Sequence, residues 1–368
     1  MEANLSSLPI RRRTWSGLRA VIASCAGVPL AWAQPLVTDK FESDSAGWTL
    51  YSDGEDLYWS PIEGNPNGCI GAKDGGDGGW WGFSAAPRFL GDRSCFYNGR
   101  LRWDFKTTHS GGGTTQPDAF LEGAGLSLVI NLANPVVDEW ETRTVTLNET
   151  AGWRKNSVNG AVPTAAEFQS VLASLAAIRL RGEFSTAAND RCVLDTVSFG
   201  SFIIDDPIST SACATSNVTF SSLATGVGPI SYRWQYEASA GVWTNVPEGP
   251  IPYAFGTIEA IGCETPQLSL GLNTSGGAVP LRLRCMVSNA CGSVPSEVAV
   301  LAPCQSDLNC DGVVEDLDFV EFVKGYNLLD CADPAMPAGC PADVNGDGLV
   351  DDADFVVFVS AYNALGCL

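Results

Sequence analysis

Two acidic runs near the C-terminus have the residue types and spacing of an oxygen cage for a hard cation. The first is Asp307, Asn309, Asp311, Gly312, Glu315 and Asp318; the second, 36 residues later, is Asp343, Asn345, Asp347, Gly348, Asp351 and Asp354. Both occupy positions 1, 3, 5, 6, 9 and 12 of a twelve-residue loop. Ca²⁺ takes about six to eight oxygens, and carboxylates and an amide at alternate positions point inward as the chain curls round it. Glycine at the sixth position permits the sharp turn. The backbone carbonyls of Val313 and Leu349 fill the seventh position, and Glu315 and Asp351 at the ninth reach the ion through water. One such run would pass for a solvated acidic loop; two copies in register read as a pair of ion sites.

Each cage needs an element to hold it. Phe319, Val320, Phe322, Val323 and Tyr326 fall on one helical face after the first loop, and Phe355, Val356, Phe358, Val359 and Tyr362 repeat the pattern after the second. Ala302-Pro303 and Gly339-Cys340-Pro341 precede the loops, so no helix leads into either. The duplicated half-EF-hand over residues 304–368 resembles a type I dockerin domain, with Asp rather than Glu as last ligand. That resemblance implies a small α-helical module binding two Ca²⁺, and a cohesin-like partner. Cohesin-binding dockerins carry Ser or Thr at loop positions ten and eleven. Here those are Asp316-Leu317 and Asp352-Ala353, and the basic pair later in the helix is reduced to Lys324 or replaced by Val359-Ser360. The ligand set therefore carries over and the recognition face does not.

Cysteines repeat with the loops: Cys304 and Cys340 precede them, and Cys331 and Cys367 close each unit. Bridges within each unit (Cys304–Cys331, Cys340–Cys367) or crossed between them (Cys304–Cys367, Cys331–Cys340) both satisfy this pattern. The chain has 13 cysteines. Setting Cys25 aside leaves an even number, which reads as disulfides in an exported protein. The remaining cysteines divide oddly between regions, which implies one bridge between domains or two unpaired thiols.

Residues 1–33 read as a signal peptide, with Arg11-Arg12-Arg13, an apolar stretch from Trp15 to Trp32, and Ala31-Trp32-Ala33 as cleavage site. Ile22-Ala23-Ser24-Cys25 loosely resembles a lipoprotein box and the arginine run a twin-arginine signal. No apolar run is long enough to cross a bilayer as a helix. The formal net charge is −21, and residues 304–368 hold thirteen Asp and Glu against one Lys. About half of that charge therefore sits beside the proposed ions. The balance excludes nucleic acid and anionic membrane as partners, and it couples folding of this segment to its metal.

Upstream the pattern is mainly β. Residues 206–303 show short apolar runs divided by turns: 218–220, 230–236, 267–270, 281–288 and 297–301. Trp234 in Tyr232-Arg233-Trp234-Gln235 and Cys285 in Leu283-Arg284-Cys285-Met286 resemble the core Trp and F-strand Cys of an immunoglobulin-like domain. Leu283 stands where the corner tyrosine sits in that fold, and Cys213 lies ahead of the strand-B position near Phe220. Residues 35–203 open with Phe41-Glu42 and Gly47-Trp48. Strand-like runs follow at 101–105, 126–130, 140–147, 178–184 and 193–199, with a helix over 164–175 capped by Thr164 and Glu167. This order resembles the laminin B (laminin IV) domain, which implies a jelly-roll β-sandwich with an adhesive role and no catalysis.

Two further sites are expected here. Glu42 on the first strand and Asp195 on the last would share one structural Ca²⁺, as in similar jelly rolls. Trp80 and Trp81, beside the run Asp74 to Gly79 and near Trp59, would offer aromatic faces to a sugar, against the simpler reading that they pack in the core. For catalysis, His109 is the sole histidine, and nothing around it resembles a nucleophile elbow. The reading is a secreted, non-catalytic, calcium-binding modular protein for extracellular adhesion, contacting glycan or protein. The alternative is an accessory of polysaccharide degradation docked to a cohesin-like scaffold, and, further off, a glycoside hydrolase.

Overall fold

The computed structural model describes residues 34–364 except 77–79, 110–115, 186–189, 214–215, 254–255 and 275–279. The signal expected over 1–33, the glycines at 78 and 79, and Cys367 lie outside the described residues. The chain is mainly β. Its buried apolar residues fall into three clusters, over residues 41–199, 202–301 and 304–361.

The first cluster is shared by two six-stranded sheets. One runs in the order Gly54–Gly64, Asn67–Asp74, Arg191–Gly200, Arg100–Thr107, Glu141–Thr146, with Leu36–Asp39 also on Arg191–Gly200. The other runs Arg154–Lys155, Leu126–Ile130, Ala119–Gly123, Leu175–Arg181, Gly82–Ser84, Thr49–Tyr51. Leu101, Trp103 and Phe105 alternate inward from the first sheet, and Leu121, Leu128, Ile178 and Leu180 from the second. Period-2 burial from both sides is what joins two sheets into a sandwich. The strand expected over 178–184 instead ends at Arg181. A Cβ at Gly182 would sit 2.1 Å from the Trp81 ring, so this tryptophan crosses the chain where the ladder stops.

Helix α1 (Ala165–Ala173) closes one end of this core with Phe168, Val171 and Leu172. Thr164 Oγ1 accepts from Glu167 N at 3.2 Å, and Glu167 Oε2 accepts from Thr164 N at 2.7 Å. The backbone bond from Thr164, together with Lys155, holds the Glu167 carboxyl down at about 2. The helix stops at Ala173 rather than Leu175, because Leu175 is already pairing with Gly123 in the sheet.

The second cluster lies between the sheet Thr210–Ala212, Ala299–Pro303, Leu281–Asn289, Ser231–Ser239, Val242–Asn245 and the sheet Asn217–Ser221, Gln267–Thr274, Gly256–Ile261, Gly249–Tyr253. Trp234 is fully buried, lies opposite Cys285, and donates its indole N–H to Thr265 O at 3.0 Å. Gly249–Tyr253 and Gly256–Ile261 carry little strand pattern, both being short and the first rich in Gly and Pro.

The regions are cross-linked. Cys95–Cys291 joins the first to the second, and Cys213–Cys310 joins the second to the C-terminal region. Lys40 pairs with Asp206 and Glu297, and Arg102 with Asp205. The odd counts imply one bridge between domains or two unpaired thiols; among the described residues there are two bridges between regions. Cys69, Cys192, Cys263 and Cys285 are unbonded and buried, more than the two unpaired thiols the odd counts allow. They serve as small apolar core residues. Burial pushes the Cys69 thiol up to about 12 and those of Cys263 and Cys285 to about 11, which keeps them protonated and inert.

Candidate metal centre

Helices α2 (Asp316–Tyr326) and α3 (Asp352–Ala364) follow the two acidic loops. Their packing is reciprocal. Phe322 and Phe358 stack at 4.9 Å; Phe322 meets Phe355 at 6.0 Å, and Phe358 meets Phe319 at 6.1 Å. Tyr326 Oη donates to Asp352 Oδ1, and Tyr362 Oη donates to Asp316 Oδ1. The apolar face expected on each helix is only partly buried. Phe322 and Phe358 are enclosed, whereas Phe319, Val320, Phe355 and Val356 stay exposed. Two short helices cannot cover so wide a stripe with so little partner surface.

The loops repeat most of their bonds. Asp307 accepts from Asp311 N at 3.1 Å and Gly312 N at 2.9 Å; Asp343 accepts from Asp347 N at 3.1 Å and Gly348 N at 2.9 Å. Asn309 Oδ1 takes Asp311 N and Asn345 Oδ1 takes Asp347 N. Asp311 Oδ1 takes Val313 N and Asp347 Oδ1 takes Leu349 N. Val313 and Leu349, at position seven, keep their side chains exposed. The last acid, Asp318 or Asp354, is fully buried. Each joins two points of its loop, Asn309 N with Glu315 N and Asn345 N with Asp351 N, at 2.9–3.0 Å. Such a bond pattern suits the shorter Asp at position twelve.

The result is convergence of charge. Ligand atoms of Asp307, Asp311 and Asp318 lie within 4.8 Å of one another, and so do those of Asp343, Asp347 and Asp354. Burial and then the neighbouring carboxylates, opposed by the two backbone bonds, leave the Asp307 carboxyl above its ordinary value. Lys324, the region's sole cation by sequence, is held by Glu321 instead. All-oxygen donors with carboxylates in excess suit a hard divalent cation, and the residues present fit Ca²⁺. Position six is left-handed in both loops (Gly312 φ +94°, Gly348 φ +91°), and so is position four (Cys310 φ +61°, Gly346 φ +79°). Sequence reasoning identified the sixth position and missed the fourth, because Cys at one copy hides what Gly shows at the other.

The cysteines beside the loops are settled in part. Cys331 is bonded to Cys340, which removes the within-unit pairing Cys304–Cys331 and Cys340–Cys367. Cys304 is itself disulfide-bonded. The physical reason is the turn after α2: Cys331 N bonds Gly348 O, Asp330 pairs with Leu349, and this brings Cys331 beside the start of the second loop rather than the first. Cys331, Cys340 and Asp343 also cluster, but two sulfurs joined in a disulfide offer no thiolate to a metal.

The other expected sites stand differently. Asp195 is fully buried, and burial pushes its carboxyl to about 6. Its oxygens accept from Asn65 N at 2.7 Å and Thr196 N at 2.6 Å, and it lies opposite Asp104 in the sheet. Among the described residues no hydrogen bond joins it to Glu42, which is exposed, and neither enters a group of three metal-ligating side chains. Trp81 is wholly enclosed and edge-on to Phe83, so it offers no face to a sugar. Trp59 donates to Phe41 O at 2.6 Å, and Trp80 packs on Phe120 at 4.7 Å and Tyr51 at 5.7 Å. The core reading of these tryptophans holds for Trp81 outright.

No curated protein matches the chain. Among solved structures, the L4b domain of human laminin alpha-2 is similar at 14% identity, with a TM-score of 0.30, covering 33% of this chain and 69% of that one. That superposition is too loose to define a fold. A family model described as Laminin B (Domain IV) matches residues 82–212, from the strand Gly82–Ser84 to the strand Thr210–Ala212. The chain thus carries a stretch similar to the Laminin B family that runs from its first β region into the opening strand of the second, while the metal-centre residues lie outside it.

Proposed function

We propose that this is a secreted, non-catalytic modular protein that binds calcium through residues 304–368 and serves extracellular adhesion by contacting glycan or protein. In this reading residues 35–203 form a laminin-B-like jelly roll, residues 206–303 an immunoglobulin-like sandwich, and residues 304–368 a dockerin-like module. The observation that carries it is the pair of carboxylate triads, each within 4.8 Å, in closely matching hydrogen-bond settings. The Laminin B match supports an adhesive role. Disulfides between regions support an oxidising compartment, and no described helix is long and apolar enough to cross a membrane. Calcium titration by calorimetry should give two sites, one lost in Asp307→Ala and the other in Asp343→Ala; a titration without heat at either site would end this reading.

The second reading, docking to a cohesin-like scaffold, draws on the exposed Leu317, Phe319, Val320, Phe355 and Val356 at the helix starts. Against it, the position-ten aspartates Asp316 and Asp352 are held by Tyr362 and Tyr326 and are not free to read a partner. Retention on an immobilised cohesin in calcium would restore it, and binding on a glycan array without such retention would favour the first reading.

A further inference from the structure

The two loops differ in one covalent respect. Position four of the first is Cys310, bonded to Cys213 of the preceding sandwich; position four of the second is Gly346, with no side chain to tether. Both positions adopt the left-handed backbone, at φ +61° and +79°. A glycine would take that conformation freely, and a cysteine takes it against its Cβ. The tether is supported around it. Thr210–Ala212 pairs with Ala299–Pro303, and Cys304 N donates to Ala212 O at 2.8 Å, three residues before the first ligand. A cleft of about 560 Å³ is walled on one side by Ile208 to Cys213 and on the other by Asp307, Cys310, Asp311 and Gly312. Asp307 is buried, whereas its counterpart Asp343 is half-exposed. Among the described residues the second loop has no disulfide reaching another region: Cys331–Cys340 ties its start to its own module, and it leans on Leu329 and Asp330 through Val350 N to Leu329 O at 3.0 Å.

We propose that Cys213 and Cys310 are positioning residues for calcium, making the first loop a shared part of the sandwich and of the C-terminal module. The inference rests on the calcium reading above. A loop already held at its fourth position loses less conformational freedom when an ion closes it. The first site is therefore the tighter one, and the bridge is the reason. Filling it also stiffens the joint between the two regions, because its ligands Asp307 and Asp311 wall that joint.

The test uses the full chain. Asp343→Ala leaves only the first site, and Asp307→Ala only the second. Into each is placed Cys213→Ser with Cys310→Gly, the glycine copying Gly346 and keeping the left-handed turn. Calcium alone is titrated by calorimetry, and helical circular dichroism in calcium checks folding. Losing the bridge should weaken the first site about tenfold, the cost of ordering roughly one more residue, and leave the second unchanged. It should also speed cleavage by protease between residues 303 and 307 in calcium. Equal weakening of both sites, or none at either, overturns the proposal while the calcium reading stands; absence of binding in the intact chain ends both. Should the double variant fail to fold, the comparison of Asp343→Ala with Asp307→Ala alone decides, since first-site affinity no higher than second-site affinity also overturns it.

Discussion

The first β region and the C-terminal module are held together by different physics. Among the described residues, thirty enclosed apolar side chains, four aromatic rings from Trp48, Trp81, Trp103 and Trp153 among them, form one core in the former. Seven do so in the latter, and two of those are alanines. Apolar burial of the first kind offsets the entropy of ordering a domain. Burial of the second kind does not, and like charges converge in the same small volume. A module so built needs an outside source of folding energy; the bonded Cys304, Cys331, Cys340 and Cys310 supply part of it, and in the proposed reading an ion at the carboxylate triads supplies the rest.

The largest expected effect breaks that comparison directly. Calcium present at a thousandfold excess over its dissociation constant stabilises by about 4 kcal/mol per site. Adding a chelator should abolish the helical signal of α2 and α3 and open residues 304–364 to protease. The β signal and the resistance of residues 34–303 should persist. Simultaneous loss of both regions would show that they fold as one unit, and loss of neither would remove the metal from the account.

Next come single core truncations. Phe322→Ala and Phe199→Ala each delete a fully enclosed ring, worth about 3–5 kcal/mol. The same loss should have unequal consequences. The C-terminal module, with Phe358 left without its stacking partner, should fail to fold even in calcium, while the β region should only melt earlier. Calorimetry of the two variants checks this, and equal survival would mean that the small core is better buttressed than its size implies.

How much of this was legible beforehand follows the same division. The convergence of the carboxylates in each loop was readable because their positions are fixed by spacing and repeated. Which cysteines bridge the regions was not, since Cys95 and Cys291 are 196 residues apart and only the packed regions bring them together. The strands Gly54–Gly64 and Asn67–Asp74 went unread because Gly, Pro, Asn and Asp fill them, and such residues usually mark turns. The Tyr326–Asp352 and Tyr362–Asp316 pairs were hidden for another reason: they exist only because α2 and α3 pack around a two-fold relation, which no single repeat displays.

The regions should also respond to pH with opposite signs. Burial, then Asp74 and Asp53, raise the Glu183 carboxyl from 4.5 to about 7. A group whose folded value is raised contributes fully below its unfolded value and loses that contribution as pH rises through the folded one. The β region should therefore gain stability as pH falls from about 7 to about 4.5, and Glu183→Gln should flatten that slope. If the C-terminal module binds calcium as proposed, it should lose stability over the same fall, because protons compete with the ion for the carboxylates. Melting curves at pH 7 and pH 5 in calcium would show two transitions drawing apart or together; parallel movement would refute the assignment of opposite causes.

The smallest effect compares the caps. Thr164 closes α1 through a reciprocal bond with Glu167, in the manner of an ordinary protein helix. At the start of α2 the equivalent work falls to Asp318, which takes Glu315 N at 2.9 Å and is at the same time a proposed metal ligand. Thr164→Ala should cost about 1 kcal/mol, independent of calcium. Asp318→Asn keeps an oxygen for the Glu315 amide but drops a charge from the triad. Its cost should be near that of a cap in chelator and should grow with calcium concentration. Calcium-dependent melting of the two variants separates them. If Asp318→Asn were as indifferent to calcium as Thr164→Ala, Asp318 would be a cap and nothing more, and the position-twelve assignment in both loops would go with it.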